Sequence, residues 1–327
     1  MDTLIIGFAL FSLFFGAGNL IFPTFLGLSY GYRWPIASFG FILTGVGLAS
    51  LAVMSVAKKN GDFKEFISLA GDRLSKVIIT IIILTIGPLG AIPRTGATSG
   101  EVIEATSIGI PYVLFILMFF ILTFLMVIKG NKVIGVIGKY LTPLLLLVLF
   151  IMIINGILNP IAESRPSNVA VSDILSNSII EGYNTMDALA SVVFAPIIIQ
   201  SIREKNEDAN ILKESLKVIA IAATGLVVVY ISLSFLGASA SGLVAEGISR
   251  VELLIFIANK VLGPYGKYIL SIMIVLACFT TAVGLTGSIT DMIYKNPRIS
   301  LSQKTIAGII SLVSTILSLV GVDMIIR

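Results

Sequence analysis

The chain has 327 residues, 57% of them hydrophobic and only 12% charged, with a mean hydropathy of +1.05. A soluble globular chain carries about 25% charge, so this composition excludes a soluble domain and predicts a polytopic helical membrane protein. The single cysteine, Cys278, excludes an intrachain disulfide and a cysteine-built metal cluster, and the lack of histidine removes the commonest proton shuttle.

A hydropathy window of about 19 residues predicts nine spans, over 4–28, 34–57, 76–98, 111–128, 140–158, 182–202, 214–236, 266–290 and 303–323. The start, MDTLII, lacks the basic n-region of a cleavable signal peptide. In the first span, FALFSLFFGAGNLIFPTFLGL, the breakers Gly16, Gly18 and Pro23 and the amide of Asn19 fall near mid-depth. Unwound backbone there is tolerable only where protein or a water-filled cavity covers it. Interrupted segments of this kind point to the binding site of a transporter, although one glycine or proline alone indicates only close packing or a kink.

The third span contains GPLGAIPRTG, with Pro88, Pro93 and Arg94. An arginine inside a membrane segment costs about 3 kcal/mol, so it finds a partner or snorkels to the interface. The stretch 159–181 reads as an external linker. The sixth span, EGYNTMDALASVVFAPIIIQ, carries Thr185, Asp187, Ser191 and Pro196, and a break between Ala190 and Pro196 is expected. Arg94 and Asp187 match in depth and suggest a pair at an external gate. The connection 237–265 includes SRVELLIFIANKVLG, whose spacing predicts an amphipathic external helix, either a plain surface helix or a cover over an external vestibule. In the eighth span Thr280 and Thr281 lie at the depth of Phe15.

The connections alternate in positive charge. Those after the second, fourth, sixth and eighth spans hold fifteen lysines and arginines, including Lys58, Lys64, Lys129, Lys213 and Arg298, against five (Arg33, Arg165, Arg250, Lys260 and Lys267) after the odd spans. The positive-inside rule places the first group, and Met1 with it, in the cytoplasm.

The first and sixth spans run in opposite directions five spans apart, as an inverted-topology repeat of five helices requires. At each break the N-terminus of a half-helix offers unpaired N–H groups and a positive dipole end to a carboxylate. Freed carbonyls offer hard ligands to a small cation. A Na⁺ site is expected from the hydroxyls of Thr280 and Thr281 with the carbonyls of Ala277, Ser12 and Phe15, although a membrane threonine more often bonds back to its own helix. Asp187, Glu101 and Glu104 remain open as proton carriers.

Four stretches, FFGAGNLIFP, IGPLGAIPRTG, EGYNTMDALASVVF and ACFTTAVGLTGS, occur in the order found in the branched-chain amino acid transport system II carriers, and the sequence resembles that family along essentially its whole length. The resemblance implies an all-α polytopic membrane protein with the five-plus-five inverted-repeat sodium-symporter fold, broken in its first and sixth helices. Residues 1–158 would form the first repeat and 182–323 an incomplete second one, with about nine spans present and the tenth core helix missing. It also implies Na⁺ or H⁺ coupling, no other cofactor, and residence in the bacterial plasma membrane.

Carried over by position, Gly16, Ala17, Gly18 and Asn19 fall on the substrate-binding break, and Ser12, Phe15, Thr280 and Thr281 on the sodium site. Thr185, Asp187 and Ser191 match the family's sixth-span pattern. Phe15 and Phe194 would line a dry pocket for a branched side chain. One methylene is worth only about 1–3 kcal/mol of discrimination, so leucine, isoleucine and valine should compete. The expected function is import of these amino acids by alternating access. An amino-acid-sensing membrane receptor of the same fold and an inert truncated carrier remain open. With no nucleotide-binding loop, metal cluster or nucleophile–base set in the sequence, an enzyme is not expected.

Overall fold

The computed structural model describes residues 2–61, 71–106, 109–129, 132–205, 210–244, 247–295, 300–321 and 325. Met1, Lys64 and Arg298 of the charge pattern lie outside the described residues. Every regular element among the described residues is helical, as a bilayer requires, because helices satisfy their own backbone groups. They are α1 (Asp2–Phe14), α2 (Ala17–Tyr30), α3 (Trp34–Ile42), α4 (Ala49–Lys58), α5 (Asp72–Ile86), α6 (Ala91–Ala105), α7 (Tyr112–Lys129), α8 (Lys132–Leu158), α9 (Val171–Tyr183), α10 (Asp187–Lys205), α11 (Ile211–Ala240), α12 (Arg250–Leu262), α13 (Gly266–Tyr294) and α14 (Gln303–Ser318). A turn of π-helix, Leu43–Leu48, joins α3 to α4 without a break.

Each of the nine expected spans finds a helical counterpart, and among the described residues six helical stretches are long and apolar enough to cross a bilayer. Three corrections follow from where the helices break. The sixth span does not break between Ala190 and Pro196: α10 is continuous through Pro196, and the break lies earlier, over Asn184–Met186. A proline deletes one ladder hydrogen bond and kinks a helix, and membrane helices tolerate that where neighbours re-satisfy the freed carbonyl. The expected linker 159–181 is helical from Val171 onward. The third span is also interrupted, by a turn at 87–90 between α5 and α6 that holds Gly87, Pro88 and Gly90.

The chain divides into two compact units. The first comprises Met1–Thr80 and Gly156–Leu253. In it α2 and α11 approach backbone to backbone: a Cβ on Gly27 would lie 1.9 Å from the Ser234 carbonyl oxygen, and one on Gly237 1.9 Å from that of Thr24. On α9, a Cβ on Gly182 would lie 2.3 Å from Thr44 Oγ1 and 2.4 Å from the Phe41 carbonyl. Phe22, Phe41, Phe194 and Tyr230 are the largest side chains buried here.

The second unit comprises Ile81–Asn155 and Leu254–Arg327. Here α6, α7 and α14 are tied together: Tyr112 donates to the Ser318 carbonyl at 2.7 Å, and Ser318 Oγ donates to the Pro93 carbonyl at 2.7 Å. The α14 helix buries the hydroxyl residues Ser311, Ser314, Thr315 and Ser318 beside Ile306, Ala307 and Ile310, whereas Ile309, Leu312 and Ile316 are exposed. An apolar exposed face suits contact with lipid. The expected amphipathic helix in the 237–265 connection forms as α12, with Val251, Leu253, Leu254, Ile257 and Ala258 all buried and Glu252 and Lys260 exposed.

Candidate functional site

The first break lies over Phe15 and Gly16, the first of the three expected breakers, whereas Gly18 and Pro23 fall inside α2. Phe15 N–H still bonds the Phe11 carbonyl at 2.8 Å, but Gly16 N–H turns to the Phe14 carbonyl at 2.8 Å, which ends α1. Gly16 is extended (φ −106°, ψ −172°). Asn19 closes the turn from both sides: its Oδ1 accepts from Gly16 N–H at 3.3 Å and its own N–H donates to the Gly16 carbonyl at 3.2 Å. As the first residues of α2, Ala17 and Gly18 present N–H groups that have no acceptor within the helix.

The second break is built differently. Asn184 N–H bonds the Ile180 carbonyl at 2.9 Å and Met186 N–H the Tyr183 carbonyl at 3.0 Å. Met186 then adopts φ +66°, a left-handed conformation that costs a non-glycine residue on the order of 1–3 kcal/mol. Thr185 Oγ1 donates to the Gly182 carbonyl at 2.9 Å and accepts from Asp187 N–H at 3.3 Å, so it caps the start of α10. Asp187 stands in the first turn of α10, where the helix dipole favours a carboxylate. Ser191 Oγ donates to the Asp187 carbonyl at 2.6 Å, so its proton is committed to its own helix.

One buried network ties the two breaks together. Asn19 Nδ2 donates to Asp187 Oδ2 at 2.6 Å and also to the Tyr230 hydroxyl, which itself donates to Asp187 Oδ2 at 3.4 Å. Asn19, Asp187 and Tyr230 are 2%, 4% and 0% exposed, so the network holds polar groups that would be costly to bury singly. Tyr230 comes from the middle of α11, where its ring stands edge-on to Phe41 with centroids 5.0 Å apart. Sequence reasoning missed it, because a tyrosine in VVVYISLS reads as a membrane aromatic; the available signal was a hydroxyl far from either end of its span.

Phe15 and Phe194 are both buried, Phe15 stacked on Phe11 at 5.1 Å and Phe194 tilted against Phe14 at 6.4 Å. Ser12, Phe15, Gly16, Ala17, Gly18, Asn19, Thr185, Asp187, Ser191 and Phe194 thus all belong to the first unit. Arg94, Ala277, Thr280 and Thr281 belong to the second. Arg94 is buried in the first turn of α6. Thr280 Oγ1 donates to the Ala277 carbonyl at 2.8 Å. That is the local back-bond a membrane threonine ordinarily makes.

Among solved structures, the chain is similar to Mhp1, a nucleobase-cation-symport-1 family transporter, in a closed conformation: TM-score 0.68 at 16% identity, covering 99% of this chain and 74% of that one. It is also similar to a Na⁺-coupled sialic acid symporter in a substrate-bound outward-open state, with a TM-score of 0.52 at 12% identity over 99% of this chain and 82% of that one. At such identities the likeness shows the fold, which is the five-plus-five inverted-repeat fold with broken first and sixth helices.

Curated relatives are nearer in sequence. The branched-chain amino acid permease BraB of Bacillus subtilis is 34% identical over 333 residues, 99% of this chain and 75% of the relative. The branched-chain amino acid transport system 2 carrier protein of Pseudomonas aeruginosa is 34% identical over 331 residues, again 99% and 75%. The family described as "Branched-chain amino acid transport protein" matches residues 1–327. A polytopic helical chain with two helix breaks joined through Asn19, Asp187 and Tyr230, it belongs to the branched-chain amino acid transport protein family.

Proposed function

We propose that this chain imports leucine, isoleucine and valine across the bacterial plasma membrane, coupled to Na⁺, by alternating access, with its N-terminus in the cytoplasm. The observation that carries this reading is the pair of interrupted spans held together by the buried Asn19–Asp187–Tyr230 network. The amides of Ala17 and Gly18 at the start of α2 receive the substrate carboxylate. Gly16 and Gly18 let it approach the backbone closely. Phe15 and Phe194 supply apolar surface toward the branched side chain. Residues 1–158 and 182–323 act as the two repeats; the first compact unit draws the first and second spans together with the sixth and seventh, as corresponding helices of two repeats would pack.

Na⁺ is the coupling ion in this reading, held by the hydroxyls of Thr280 and Thr281 and the carbonyls of Ser12, Phe15 and Ala277. An all-oxygen donor set suits a hard cation. Arg94 and Asp187 close the external gate. Asp187 already accepts from Asn19 and Tyr230, so gate closure acts on the same carboxylate that joins the two breaks.

Leucine uptake into proteoliposomes tests the proposal. An inward Na⁺ gradient should drive concentrative uptake that isoleucine and valine inhibit. Uptake that follows a pH gradient with no response to Na⁺ would replace sodium by protons, and binding without counterflow would favour a sensor over a carrier. Thr281→Ala should raise the Na⁺ concentration for half-maximal uptake more than it weakens leucine binding at saturating Na⁺; unchanged sodium dependence in both Thr280→Ala and Thr281→Ala would remove the ion site. Unimpaired uptake in both Arg94→Ala and Asp187→Ala would rule out the gate pair.

A further inference from the structure

Arg250 opens α12 and faces three aromatic or acidic groups on two other helices. Its guanidinium makes a two-pronged bond to Glu181 of α9, Nη2 to Oε1 at 2.8 Å and Nη1 to Oε2 at 3.1 Å. The same guanidinium lies 5.1 Å from the ring centroid of Phe22 and 4.8 Å from that of Phe25, both on α2. The two charged side chains are only 17% and 20% exposed. Parallel N–H···O bonds and stacking on aromatic faces are what a planar guanidinium provides and a lysine ammonium does not.

The position of this charge argues for a tertiary role. A cation in the first turn of a helix opposes the helix dipole, so Arg250 does nothing for α12 itself. That helix start is served by Ser249 and Glu252, which cap each other: Ser249 N–H donates to Glu252 Oε2 at 3.0 Å and Glu252 N–H to Ser249 Oγ at 3.2 Å. Glu181 is equally well placed, because the neighbouring Gly182 lets α9 press against Thr44 and the Phe41 carbonyl. All four members of the cluster, Arg250 with Glu181, Phe22 and Phe25, lie in the first compact unit, while α12 itself continues past Leu253 into the second.

We infer that Arg250 is a positioning residue for transport, a latch that ties the start of α12 to the halves of the two broken spans on the same side, α2 and α9. Held together, these three segments move as one external cover, and substrate entry depends on that joint motion. This rests on the transport reading above and adds a residue that touches neither substrate nor ion.

Two readouts on purified protein in lipid nanodiscs and proteoliposomes test it. In Arg250→Ala and Glu181→Gln, the maximal rate of leucine uptake should fall by about ten-fold, equivalent to about 1.4 kcal/mol on the barrier, while the equilibrium dissociation constant for leucine stays within about two-fold. Amide hydrogen exchange in the first turn of α12 and the last turn of α9 should accelerate. Arg250→Lys should recover only part of the rate, and the exchange of charges in Arg250→Glu/Glu181→Arg should recover more than either single change. If the alanine variant does not fold, Arg250→Lys and the charge exchange carry the same comparison. Parental uptake and parental amide exchange in the single variants overturn the latch, as does leucine binding lost in step with uptake. If the parent protein moves no leucine, the transport reading fails, and amide exchange still scores the latch separately.

Discussion

An amide, a carboxylate and a phenol buried together are stable only as a set, because each satisfies a group that would otherwise be stranded without water. Asn19 Nδ2 has two acceptors, Asp187 Oδ2 and the Tyr230 hydroxyl, and Asp187 Oδ2 has donors in both Asn19 and Tyr230. Tyr230→Phe removes one donor and one acceptor while leaving the Asn19–Asp187 bond in place. It should lower stability by about 1–3 kcal/mol, read as an earlier midpoint on thermal denaturation in detergent. Asn19→Ala breaks both of the amide's side-chain links and the Oδ1 half of the Gly16 turn's closure, so its loss should exceed that of Tyr230→Phe; the reverse order would mean that the network is not centred on Asn19. Asn19 and Asp187 were legible in the sequence, since a polar group in an apolar span is anomalous by itself. Tyr230 was not, because its role depends on partners 211 and 43 residues away.

Among the elements, α2 and α11 set the tolerance for change. A Cβ on Gly27 would sit 1.9 Å from the Ser234 carbonyl and 2.8 Å from Ala238 N, and neither backbone atom can swing aside as a side chain can. Gly27→Ala should therefore yield little folded protein, measured as monodisperse material on size exclusion. Gly284 in α13 has nothing within 4 Å of its Cβ position, so Gly284→Ala should be neutral or stabilising by about 0.5–1 kcal/mol. In α14, Ser311 and Ser314 hydroxyls are buried with no hydrogen-bond partner among the described residues. Removing an unsatisfied hydroxyl costs no bond, so Ser314→Ala should leave the thermal midpoint unchanged or raise it. The element boundaries show why pattern reading misplaced the sixth-span break. Pro196 looks like the interruption, yet a single missing N–H only kinks α10. The actual break depends on a left-handed Met186 and the Thr185 cap, and the cap was visible as a threonine two residues before an aspartate.

For the whole molecule, hydropathy and the distribution of lysine and arginine carry the argument. On a Cys278→Ala background, a cysteine at exposed Tyr265 should react with an impermeant thiol reagent added to intact cells, and one at Lys205 only after permeabilisation; the opposite pattern would invert the proposed topology. The sequence by itself determined that the chain crosses a bilayer, where its spans run, and where the first span breaks. Those properties are local, because each backbone segment in lipid must satisfy its own hydrogen bonds and Gly16, beside the amide of Asn19, marks where it does not. Only the tertiary structure decided where the sixth span breaks, that the third is interrupted at 87–90 as well, that Tyr230 joins Asn19 and Asp187, and that Arg250 meets Glu181. The last two outcomes turn on atoms 43 to 211 residues apart in the chain, and no local pattern specifies which distant carboxylate, hydroxyl or ring will face a given side chain once the helices have packed.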